Sequence, residues 1–219
     1  MNSIETKMGE INRKWFLKEY ADVCALAFEL LAEPVELNLP ERVKLCLIMA
    51  SAGVEARSLD RSVSLSCYID ALQRTLCQVD SACQTECRPA LCRALGEWYA
   101  RMSDADEDCT EKAILYFSEA VAGFATQGKD YDRAITSERL AQCHINRKGS
   151  ANDNFKVALA LYRASRKVFQ ELGVDDLEET DGMIAKLQEI LDDIGDESGE
   201  VVPPAPTPPH SPPHSTHPR

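Results

Sequence analysis

The sequence predicts an all-α fold, an antiparallel helix-pair array of eight or nine helices. Three observations carry that expectation. Apolar residues recur at three- and four-residue steps along nearly the whole chain. No stretch alternates β-branched residues in the manner of a strand. The chain also resembles itself when shifted by 45 residues, which lays Leu95 on Leu140, Gly96 on Ala141, Ala113 on Ala158, Phe117 on Tyr162, Phe124 on Phe169 and Gly128 on Gly173. A weaker copy lies 45 residues earlier, at Tyr68, Leu72 and Val79. Small residues where helices cross, with large ones at fixed offsets, are what stacked helix pairs require.

The elements follow from punctuation. A first helix spans about 10–33, with Ile11, Trp15, Tyr20, Val23, Ala27, Leu30 and Leu31 on one side, and stops before Pro34. Pro40 suits the first turn of a second, about 40–57. Asp60 can cap a third, about 61–79, and Pro89 opens a fourth that ends near Met102. Asp108 and Glu111 have capping-box spacing before a fifth helix, closed by Gly128. A sixth covers about 130–147 and a seventh about 153–173. Asp176 and Glu179 repeat the capping-box spacing before an eighth, which fades at Gly195.

Composition divides the chain into a helical domain, 1–195, and a Pro/His-rich tail, 196–219, expected to be disordered. Eight of the eleven prolines and three of the four histidines (His210, His214, His217) fall in 203–218, a composition that can form polyproline II but cannot bury a core. Residues 175–200 hold eleven acids against Lys186, so most of the net charge of -12 sits there and the rest is nearly balanced. That balance argues against a nucleic-acid partner, which would call for a basic footprint. No apolar run has the length of a membrane span, and the N-terminus lacks a signal-peptide pattern. The nine cysteines are odd in number and sit mostly beside apolar residues, which fits a reducing compartment. In the cluster Cys67, Cys77, Cys83, Cys87 and Cys92 the repeated spacing would force Cys77 to be shared between two disulfides, and no paired short spacing suits a metal. The expected location is cytoplasmic, with the nucleus the other option.

Catalytic signatures are missing from the pattern. There is no glycine-rich phosphate loop, nucleophile elbow or metal-binding histidine pair. His144 lies among Leu140, Ala141 and Ile145, so it reads as a packed or partly exposed histidine rather than a general base. The chain is expected not to be an enzyme and to need no cofactor or metal.

Several stretches, taken together and in register, resemble the 14-3-3 family in a divergent form. They are Lys18-Glu19-Tyr20-Ala21-Asp22-Val23, Leu37-Asn38-Leu39-Pro40-Glu41-Arg42-Val43-Lys44-Leu45, Glu55-Ala56-Arg57-Ser58-Leu59-Asp60-Arg61 and Gly96-Glu97-Trp98-Tyr99-Ala100-Arg101-Met102. The resemblance covers about 18–61 and 90–194. It implies a nine-helix cup, a homodimer through the N-terminal helices, and an adaptor that grips a phosphoserine or phosphothreonine peptide. Bidentate guanidinium donors and a tyrosine hydroxyl suit a dianionic phosphate. Carried over residue by residue, Arg57 matches one clamp arginine and Arg61 its neighbour. The other phosphopeptide-binding candidates are Tyr99, Arg101, which stands where the family has a tyrosine, and Gln142 and Asn146, which lie near the place of the asparagine that holds the peptide backbone. The 45-residue repeat, read as tetratricopeptide-type helix pairs, would turn Arg93, Glu97, Arg101 and Gln142 into the groove. The sequence departs from the family at Ala50, where a lysine is expected, at Ala100, where the second clamp arginine is expected, and in the short segment between Arg61 and Gly96. Two partner classes follow: a phosphorylated or acidic peptide, including the chain's own tail through Ser211 or Ser215, or an unphosphorylated segment held by a tetratricopeptide-type scaffold. Neither a nucleic acid nor a membrane is an expected partner.

Overall fold

The computed structural model describes residues 3–32, 37–59, 66–82, 85–102, 107–174 and 177–197. Nine α-helices fill them, packed sequentially in antiparallel pairs, with no strand among the described residues. They are α1 (Ser3–Phe16), α2 (Tyr20–Ala32), α3 (Leu39–Leu59), α4 (Ser66–Ser81), α5 (Arg88–Met102), α6 (Glu107–Thr126), α7 (Asp130–Asn146), α8 (Ala151–Glu171) and α9 (Glu178–Glu197), with a 3-10 turn at Thr85–Cys87 before α5. None of these helices is long and apolar enough to cross a membrane.

The single helix expected over about 10–33 is two helices. The chain turns at Leu17, Lys18 and Glu19, where Lys18 adopts φ 60°. That left-handed conformation is usually left to glycine. The corner is held by local bonds: the Lys18 N–H donates to the Trp15 carbonyl and the Glu19 N–H to that of Lys14, each at 3.0 Å. The Lys14 ammonium then reaches forward to Glu19 at 2.8 Å and Asp22 at 2.6 Å. Trp15 meets Tyr20 edge to face across the bend.

Other boundaries have plain chemical causes. Asn38 and Glu41 form a reciprocal capping box before α3: the Asn38 side chain accepts from the Glu41 N–H at 2.9 Å, and Glu41 accepts from the Asn38 N–H at 3.1 Å. Asp108 lies inside the first turn of α6, where it pairs with Lys112 at 2.5 Å. The helix expected from about 153 begins at Ala151, capped by the Ser150 hydroxyl. The caps expected at Asp60 and Asp176 lie outside the described residues.

The 45-residue period is a period of structure. Leu95 and Leu140, Ala113 and Ala158, Phe117 and Tyr162, and Phe124 and Phe169 are all buried. The two helix ends close alike. Gly128 (φ 65°) and Gly173 (φ 71°) take the left-handed conformation, and the next N–H, of Lys129 or Val174, donates to the carbonyl of Phe124 or Phe169 at 3.0 or 2.9 Å. Thus α5–α6 and α7–α8 are successive copies of one helix pair.

The core has two parts. The larger runs from Ile11 through Leu30, Met49, Leu72, Trp98 and Phe117 to Leu140. A smaller one joins α7, α8 and α9 through Ala141, Ala158, Leu159, Tyr162 and Leu187. Trp98 is fully buried, and its indole N–H donates to the Ala50 carbonyl at 2.9 Å, so α3 and α5 are tied by one polar bond inside an apolar contact.

Candidate functional site

Because the pairs repeat, α3, α5 and α7 lie side by side in one layer, with α4, α6 and α8 packed against them as their antiparallel partners. Residues at helical spacing on the facing sides of the first layer define a trough: Leu47, Ser51 and Glu55 on α3; Arg93, Glu97 and Arg101 on α5; Arg139, Gln142 and Asn146 on α7. Three cavities run along it. The first, of about 590 Å³, lies between α1 and α3 against Ile11, Trp15, Val43, Leu47 and Ile48. The second, of about 260 Å³, lies between α3 and α5 and shares Leu47 and Ser51 with the first. The third, of about 170 Å³, lies between α5 and α7 and shares Glu97 with the second. Alanines at 50, 90, 94 and 100 keep the floor low enough for the trough to exist.

The trough is apolar at its α1 end and charged at its α7 end, and the charges are matched. Arg93 meets Asp132 of α7 at 2.6 Å while its guanidinium lies 5.4 Å from the centre of the Phe124 ring. Glu97 receives Arg139 at 3.2 Å and Arg101 at 4.0 Å, one oxygen towards each. The Gln142 amide donates to Asn146 at 3.4 Å. Cys143, beside Glu97, has its thiol pushed up to about 12, first by burial and then by that carboxylate, so it stays protonated and non-nucleophilic.

The structure thus brings Arg93, Glu97, Arg101, Gln142 and Asn146 to one face. Tyr99 goes elsewhere. It is buried on the opposite side of α5, stacked on Tyr116 at 5.7 Å, and accepts from the Gln73 amide at 3.2 Å. One face of α5 cannot present both 97/101 and 99, since residues two apart point away from each other. Arg57 lies on α3, its side chain outside the description; Arg61 and the tail serines Ser211 and Ser215 lie outside the described residues. His144 points away from the trough towards Arg147 and Glu111, and burial, then the Arg147 charge, holds it below the usual histidine range.

Sequence reasoning missed Arg139, Asp132 and the apolar α1 end. The first two carried a signal, because Asp132, Arg139, Gln142 and Asn146 step by seven, three and four along α7. The α1 end carries none, because the apolar rhythm of 10–33 runs on through the corner between α1 and α2.

Fold and trough together define a class, a helix-pair array with a mixed-charge trough along one layer. No protein-family model matches the chain, and no curated protein matches it either.

Proposed function

We propose that the chain is a protein–protein interaction scaffold that holds an extended segment of a partner protein along the trough, in the manner of a tetratricopeptide-type array and without requiring phosphate. The observation that carries this reading is the charge matching of Arg93 with Asp132 and of Arg139 with Glu97. A dianionic phosphate would have to displace a carboxylate already in place, whereas a neutral backbone can take hydrogen bonds from Gln142, Asn146 and the spare guanidinium N–H groups without breaking a pair. The α1 end asks for bulky apolar side chains; Trp15 is 39% exposed there and Phe16 beside it 88%. No step of this reading needs catalysis or a cofactor.

A second reading, the 14-3-3-like phosphopeptide adaptor, has its own support. Glu97 sits where two guanidinium groups approach one carboxylate, which is the arrangement an incoming acidic or phosphorylated side chain would use. Ala50 and Ala100, aligned by resemblance with two cationic clamp positions, also lie on the trough. Their lack of charge is why this reading stands second.

The test is a peptide array of matched plain and phosphorylated sequences, followed by fluorescence anisotropy on the hits. The scaffold reading expects paired peptides to bind alike and Trp15→Ala to weaken both. Binding confined to phosphorylated members would replace it with the adaptor reading. Hits indifferent to Trp15→Ala and to Arg93→Ala would remove the trough from either.

A further inference from the structure

Away from the trough, a cavity of about 280 Å³ opens between the end of α2, α3 and α4. Phe28, Leu31 and Ala71 supply apolar walls, and Arg42, Arg74 and Gln78 supply polar groups. Its two arginines differ from those of the trough. Arg93 and Arg139 each meet a carboxylate, but neither Arg42 nor Arg74 does so among the described residues. Arg42 spends one N–H on the Leu31 carbonyl, at 3.4 Å, and Arg74 spends its Nε–H on the Asp70 carbonyl of its own helix, at 3.2 Å. Each guanidinium has five N–H donors, so most remain for another acceptor.

We propose that this cavity binds a small organic anion, a carboxylate or phosphate monoester carrying a short apolar body. The anionic head lies against Arg42 and Arg74, and the body rests on Phe28 and Leu31. The carbonyl end of α2 would repel such a head, and Arg42 offsets that repulsion by donating to the Leu31 carbonyl. Size limits the ligand: the cavity falls at the bottom of the range for small-molecule sites, enough for a single ring and its head. The chain's net charge of -12 works against unspecific anion uptake, so saturable binding would have to come from local geometry. This site is independent of the trough and of its proposed partner.

The experiment is calorimetric titration of the full chain with phenyl phosphate, benzoate, inorganic phosphate and benzyl alcohol at physiological salt. Phenyl phosphate and benzoate should saturate at one per chain. Inorganic phosphate should bind at least about tenfold more weakly, and benzyl alcohol should give no saturable heat. Arg74→Gln alters an exposed side chain, so it should leave the melting temperature unchanged while weakening phenyl phosphate at least about tenfold. Arg42→Lys keeps the charge but loses the fork, and should weaken it less. Absence of saturable binding by both organic anions, affinity indifferent to Arg74→Gln, or equal binding of benzyl alcohol would each overturn the proposal.

Discussion

The ring of Phe117 occupies the space that a side chain at position 96 would need: a Cβ built on Gly96 would lie 2.7 Å from Phe117 Cδ1. Gly53 stands in the same relation to Trp98, at 2.6 Å. Both are close approaches of backbone to an aromatic ring at a helix crossing. Gly96→Ala and Gly53→Ala should each destabilise the fold by about 1–3 kcal/mol through overpacking. Gly96→Ala with Phe117→Leu should recover part of that loss. Gly182 on α9 faces open space, so Gly182→Ala should be stabilising by about 0.4–1 kcal/mol. Urea unfolding of the four variants checks the series.

Trp98→Phe removes the indole N–H that satisfies the Ala50 carbonyl. The Ala50 carbonyl keeps its helical partner within α3, so the lost bond itself costs about 0.5–1.5 kcal/mol, and the smaller ring adds a cavity term. The expected signature is a lower urea midpoint with an unchanged slope, since the loss is local to the α3–α5 contact.

Glu97→Gln tests what holds the charged end of the trough. The neutral amide frees the Arg139 guanidinium from its carboxylate. Affinity for acidic or phosphorylated peptides should rise about threefold at low salt, and the gain should shrink as salt is added, in keeping with the modest worth of a partly exposed pair. Affinity for neutral peptides should not change. Anisotropy titrations at two ionic strengths read both effects.

Stability should fall on acidification in two stages. Burial and the Arg147 charge hold His144 below its ordinary 6.5. The unfolded chain therefore binds that proton first, and stability drops from about pH 6.5 until the lower folded value is passed. Asp181, hydrogen-bonded by Arg166 across α8 and α9, is likewise held below its ordinary 3.8. Its contribution is complete above about 3.8 and is lost as pH falls through the folded value. Urea midpoints against pH should show both stages, His144→Gln should remove the upper one, and Arg166→Ala should remove the lower.

The sequence made the array legible because burial repeats with it: Phe117 and Tyr162 fill equivalent places, and Gly128 and Gly173 end equivalent helices. It hid the α1–α2 corner, because Lys18 takes a left-handed turn that lysine does not advertise and Trp15, Phe16 and Leu17 continue the apolar rhythm through it. At the trough, position could be read and electrostatics could not. Glu97 and Gln142 are 45 residues apart and share a cavity, but the pairing of Arg93 with Asp132 spans two helices and depends on side-chain reach. Arg42 and Arg74 gave no signal at all, since their interest lies in meeting no carboxylate among the described residues.

The division of the core should let the molecule come apart from one end. The last two helices centre on a small apolar nucleus around Tyr162 and Leu187, and Thr180 ties α9 to α7 by donating to Glu138 at 2.6 Å. The rest stands on the long continuous core. Amide protons of α9 should therefore trade with solvent well before those of α5, and a protease should nick the C-terminal pair while the remainder stays intact, so that the array shortens like an unzipped seam before it melts.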